Sequence, residues 1–206
     1  MTVPPQNPDQ GTVSSRFSFP DADVAFRSSD KVTFRVHLKN LETHSDGFPP
    51  STLCAPGSGE VVDLSEPAAT LDLLFQYIYP QRQPDLSEIE LSQLAQLAEA
   101  VEKYQVYSAL EICKIFMGNG LQENPLTVLN YAVRHGYLDI ADEAAPLTVS
   151  LPLEEVGTHM YQTYMGNWLK YYGEWQKILE VACAEGWRIG QNSPCRISNS
   201  PSQCPH

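Results

Sequence analysis

Asp23-Val24-Ala25-Phe26-Arg27-Ser28-Ser29-Asp30-Lys31-Val32-Thr33-Phe34-Arg35-Val36-His37 is the stretch whose reading decides the fold. Val24-Ala25-Phe26 is a short apolar run behind an aspartate, and Ser28-Ser29-Asp30-Lys31 is turn chemistry, because Ser and Asp side chains bond nearby backbone. Val32, Phe34 and Val36 then alternate with Thr33 and Arg35. That is the period of a strand with one buried face, so the stretch predicts a β-hairpin.

Reading outward toward the C-terminus, Leu38–His44 has the length of one or two helical turns. Pro49-Pro50 makes its continuation untenable, since proline removes a helix donor and clashes with the preceding turn. A Ser/Pro/Gly loop over 51–60 leads to Val61-Val62-Asp63-Leu64, a third short strand. Ser65 is a candidate N-cap, with Glu66 and Pro67 in the first turn. Leu71, Leu74, Phe75 and Ile78 follow at +3, +4 and +7, one core-facing helical stripe, which Pro80 and Pro84 stop. Leu86, Leu91, Leu94, Leu97, Val101 and Tyr104 mark a second stripe, with Glu88, Glu90, Glu99 and Glu102 off it as a solvated acidic face. Leu110, Cys113 and Met117 mark a third, ended by Gly118-Asn119-Gly120.

A further helical block opens at Asn124-Pro125, with Leu126, Leu129 and Val133 on one face and His135-Gly136 as its close. Residues 137–144 begin another helix, punctuated by Pro146 and Pro152. From Asn167 an aromatic-led stripe runs through Trp168, Tyr172, Trp175, Leu179 and Ala182 to the neighbourhood of Gly186. It reads either as core or as a partner-binding surface, because Trp and Tyr serve as anchors in both. The first 16 residues and the last 16 or so are rich in Pro, Ser, Gln and Asn and are expected to remain as tails.

Composition narrows the function. The 206 residues carry 13 Lys and Arg against 25 Asp and Glu, a formal net charge of −12. That field repels phosphate backbones and anionic lipid surfaces, so neither nucleic acid nor membrane is an expected partner. No run approaches the apolar length of a membrane span, and the start lacks the pattern of a signal peptide. The five cysteines show no CxxC spacing. An intracellular location, cytoplasm or nucleus, is expected.

Catalytic constellations are missing from the string. There is no GxSxG, HExxH, P-loop or GxGxxG. His37, His44, His135, His159 and His206 are scattered; His37 and His44 lie seven apart and read as surface or capping residues rather than a metal pair. Cys195 and Cys204 near His206 read as incidental tail residues. Cys54 has no basic neighbour to lower its pKa, and Cys113 reads as a buried small hydrophobe. No catalytic residue, cofactor or metal is expected.

Several blocks resemble a known family. Asp23-Val24-Ala25-Phe26 with Val32-Thr33-Phe34-Arg35-Val36-His37 is similar to the opening of a BTB/POZ domain, where a D-V strand pairs with one ending in V-H and the His leads into the first helix. Val61-Val62-Asp63-Leu64-Ser65 with residues 71–79, ending Tyr77-Ile78-Tyr79-Pro80, resembles its third strand and following helix. Residues 94–106 resemble its L-L-x-A-A-x-K-Y-x-V helix. The style is similar to the stand-alone BTB proteins abundant in fungi. The resemblance implies an α+β, mostly helical fold: a short three-stranded sheet flanked by helices over 17–118, then an all-helical extension over 121–189, between tails at 1–16 and 190–206.

It also implies function: a non-enzymatic module associating with itself, with other BTB proteins, or with a cullin as a ubiquitin-ligase substrate adaptor. Leu38, Leu41 and Phe48 would form the docking face, and Trp168, Tyr172 and Trp175 a second surface. The chain departs from the family where Pro49-Pro50 interrupt the helix that normally completes the homodimer face. It departs again at 51–60, where the apolar-x-Glu element of cullin binders is replaced by Ser58 and Glu60. An enzyme or metal protein on an unrecognised α+β scaffold is the alternative from another class.

Overall fold

The computed structural model describes residues 12–48 and 61–191. The quoted stretch is a hairpin: β2 (Val24–Arg27) runs antiparallel to β3 (Thr33–Val36), pairing Phe26 with Phe34 and Arg27 with Thr33. Ser28 closes the loop from both sides. Its backbone N–H donates to Val32 O at 2.9 Å, and its Oγ accepts from Val32 N at 2.9 Å. Lys31 takes a left-handed backbone (φ 68°) to complete the turn.

The sheet has four strands among the described residues, in the order β1-β3-β2-β4, rather than the expected three. The added strand is β1 (Val13–Ser18), lying parallel to β3. Its first four residues fall in the segment expected to be a tail. The Pro-rich composition of 1–16 hides two local facts. Phe17 is buried beside Phe34, Phe75 and Tyr79, and Ser14 Oγ accepts from the backbone N–H of Arg16 and Phe17. On the far edge, β4 (Val61–Asp63) runs parallel to β2, where Arg27 holds Asp63 by two bonds of 2.6 and 2.7 Å.

Helices α1 (Leu38–His44), α2 (Ala68–Ile78), α3 (Leu91–Tyr104) and α4 (Tyr107–Asn119) accompany the sheet, and a 3₁₀ turn over Gly120–Gln122 ends this run. The expected stripes are buried: Leu71, Leu74, Phe75 and Ile78 on α2, and Leu91, Leu94, Leu97, Val101 and Tyr104 on α3. Ser65 does not cap α2. Pro67 holds the N-cap position, and Asp30 from the hairpin turn accepts from the Ala68 N–H at 2.8 Å. The hydrogen bond from Ser28 and those from backbone keep the Asp30 carboxyl below its ordinary range. The hairpin turn thus caps a helix 38 residues away.

Two more helices complete this unit. α5 (Pro125–His135) opens as expected, with Asn124 accepting from Thr127 N at 2.9 Å, and closes on Gly136 at φ 77°. α6 (Leu138–Thr148) carries Pro146 inside it rather than stopping there. The helix forgoes one bond and ends two residues later, where Thr148 Oγ1 donates to Ala145 O at 2.7 Å. The first compact unit closes at Pro152, so α5 and α6 belong to it. The second unit begins at Leu153 and contains α7 (Leu153–His159) and α8 (Gln162–Gln191). α8 starts five residues before Asn167 and runs past Gly186, so residues 190 and 191, assigned to a tail by composition, are helical.

Candidate interaction surfaces

The face expected to dock a partner divides: Leu41 turns inward, and Leu38 and Phe48 stay half-buried. Leu41 is 1% exposed, and Phe48 stacks on Tyr104 with ring centroids 4.3 Å apart and planes 9° apart. Phe48 also meets Phe26 and Phe75 at 5.6 and 6.1 Å. The backbone forces this. Gly47 N donates to Tyr104 O at 2.9 Å, and Ser45 bridges Val106 in an isolated β-pair. A Cβ at position 47 would lie 2.5 Å from Lys103 O. Two turns of helix therefore commit Leu41 to the core, while Leu38 and Phe48 stay partly exposed. Pro49-Pro50, Cys54 and the Ser58/Glu60 segment lie outside the described residues.

His37 sits at the junction between β3 and α1, not on a helix face shared with His44. Its backbone N–H donates to Tyr79 Oη at 2.9 Å, its Nδ1 lies 2.9 Å from the same oxygen, and its Nε2 lies 3.4 Å from Asp21. Asp23, the aspartate of the D-V block, caps α1 by accepting from Leu38 N at 2.7 Å. Burial pushes the Tyr79 phenol above its ordinary pKa. His44 Nδ1 instead lies 3.0 Å from Asn40 O within its own helix.

The carboxylates of α3 are not a uniformly solvated face. Glu102 is 10% exposed at its side chain and accepts from the phenols of Tyr131 (3.2 Å) and Tyr137. His135 places Nε2 3.2 Å from Glu99 and Nδ1 3.9 Å from Glu102, and Arg134 reaches Glu99 at 3.2 Å. Burial, reinforced by Glu102, raises both phenol pKa values, so both groups stay protonated donors. This set fastens α5 and the start of α6 to α3. Periodicity missed it because a carboxylate off the apolar stripe looks solvated until its partners arrive from 29 to 36 residues away. The i, i+4 pair Tyr131/His135 facing Glu99/Glu102 was the available signal.

A second carboxylate, Glu66, accepts from Lys103 Nζ (2.7 Å), Tyr104 Oη (2.7 Å) and Ser65 Oγ (2.9 Å). Burial pushes its carboxyl up, but these hydrogen bonds outweigh it and hold the group below the usual glutamate value. Cys113 is fully buried, and burial pushes its thiol up to about 12, as its place on an apolar stripe implied. Among the described residues no three His, Cys, Asp or Glu side chains converge to hold a metal ion, and no helix is long and apolar enough to cross a membrane.

The aromatic stripe on α8 divides. Trp168 is 5% exposed and stacks on Tyr172 at 5.1 Å, while Tyr172 and Trp175 are half-buried. Ile178 and Leu179, further along, are 59% and 47% exposed. No protein-family model matches the chain, and no curated protein is similar to it at a significant level.

Proposed function

We propose that the protein is a non-enzymatic interaction protein, a BTB/POZ-like unit followed by further helices, which works by burying surface against other proteins. The observation that carries this reading is the path from Asp23 to Ile78. A D-V strand pairs with a strand ending in Val36-His37, and His37 leads into α1. The chain then returns as β4 beside β2 and passes into α2. This is the connectivity that the resemblance calls for. Leu41 lies in the core, so what this region offers a partner is the half-buried Leu38 and Phe48. A stable interface needs roughly 1,200–2,000 Å² of total buried area.

A second reading, a substrate adaptor for a cullin-based ubiquitin ligase, is favoured by one feature: the helix pair α5/α6, held on α3 through Glu102. Residues 124–145, which make α5 and most of α6, resemble in sequence the helical extension of such adaptors. Affinity purification of the full chain from native extract, with mass spectrometry, tests both. A cullin and its ring-finger partner in stoichiometric amount support the adaptor. Other BTB proteins without a cullin support an assembly module. Recovery of neither, together with turnover of a small-molecule substrate, overturns the interaction reading.

A further inference from the structure

The α8 stripe leaves part of its apolar face exposed at Ile178 and Leu179. On an ideal helix, at 100° per residue, the apolar residues from 164 to 183 fall within an arc of about 140°, apart from Leu169 and Val181. They recur every seven residues: Trp168, Trp175 and Ala182 form one row, Tyr171 and Ile178 a second, and Tyr172 and Leu179 a third. Tyr164 extends the second row one repeat upstream. An apolar repeat sustained over three to four heptads signals helix-on-helix packing, and a three-row face suits a bundle. The rows are covered at Trp168 but open at Ile178 and Leu179.

Charge selects the occupant. The outer face carries Lys170, Glu174, Lys177 and Glu180, two of each sign, with Lys177 bonded to Glu174 at 2.7 Å. A helix made for an anionic membrane carries a Lys/Arg-rich outer face, and a chain of net charge −12 is repelled by such a surface. A charge-balanced back and a repeating apolar front let a second identical helix approach without net repulsion, while both copies cover the same rows.

We propose that the middle of α8, around Ile178 and Leu179, pairs with α8 of a second copy and makes the chain a homodimer. The proposal does not depend on the BTB reading, because it rests on α8 and not on the sheet unit. The test is light scattering of the full chain across a range of concentrations. The wild type is expected to reach twice 23.0 kDa. Ile178→Glu with Leu179→Glu is expected to weaken dimerisation at least 100-fold with the far-ultraviolet circular dichroism preserved. Ile178→Ala with Leu179→Ala, which keeps helix propensity, should weaken it to a lesser degree, and Leu38→Glu should leave it unchanged. A wild-type chain at 23.0 kDa throughout overturns the proposal. So does a dimer that survives both Ile178/Leu179 variants, or one dissociated by Leu38→Glu alone. A monomer that sediments with phosphatidylserine vesicles would overturn it in favour of a lipid surface.

Discussion

α2 and α8 carry the same kind of signal and meet opposite fates. Both are amphipathic helices with an apolar stripe at helical spacing. On α2 the stripe is wholly enclosed: Leu71, Leu74, Phe75 and Ile78 have no exposed surface, and Phe75 touches the rings of Phe17, Phe26, Phe34 and Phe48. On α8 enclosure fades from the buried Trp168 through the half-buried Tyr172 and Trp175, and the row reaching Ile178 meets solvent. The difference teaches that periodicity identifies which face must be covered, while the cover is supplied by other segments and is invisible in the stripe itself.

The largest test of this contrast is Phe75→Ala. Removing the ring from the centre of the aromatic cluster should cost about 3–5 kcal/mol, read from the urea midpoint. Next is Glu102→Leu, which strips the buried Tyr131 phenol and the half-buried Tyr137 phenol of their acceptor and removes a carboxylate from His135. It should cost about 1–3 kcal/mol, the cost of one orphaned buried donor. A loss below about 0.5 kcal/mol would mean that α5 does not need this set to stay on α3.

Glu66 sharpens the contrast through pH. Its folded pKa is depressed, so it stabilises the fold fully above the ordinary glutamate value of 4.5 and loses that contribution as pH falls through the folded value. Urea midpoints from pH 7 to 3 should fall on the acid side in the wild type and fall less steeply in Glu66→Gln. Parallel curves would contradict the ion-pair account.

Smaller effects follow on α2 and α8. Tyr77 is buried on α2, and its hydroxyl has no hydrogen-bond partner among the described residues. Burial raises its phenol pKa. Tyr77→Phe removes an unpaired polar atom and should raise stability by up to about 1 kcal/mol. Ile178→Ala, measured where the chain is too dilute to pair, should change unfolding by less than about 0.5 kcal/mol, the range of exposed sites. A loss near that of Phe75→Ala would show that the row is covered within one chain.

Much of the sheet unit was legible in the string. The alternation of Val32, Phe34 and Val36 marked a strand, and the stripes on α2 and α3 marked buried faces, because those signals are local. What the string concealed was long-range. Asp30 replaced Ser65 as the α2 cap because the hairpin turn arrives at that helix end. Gly47 set Phe48 against the Tyr104 ring because its missing Cβ admits the backbone of Tyr104. β1 was hidden because Phe17 and Ser14 sit at the end of a segment whose average composition resembles a tail. The site was legible in part: Trp168, Tyr172 and Trp175 share one face as their spacing required, but the exposed end of that face at Ile178 and Leu179 required the structure.

The most direct test of the central claim is amide hydrogen exchange on the full chain at two widely separated concentrations, followed peptide by peptide. Protection over residues 175–183 of α8 should rise with concentration, while α2, already enclosed, should keep the same slow exchange at both. Exchange in α8 that is indifferent to concentration, or protection that rises over α1 instead, would contradict the account.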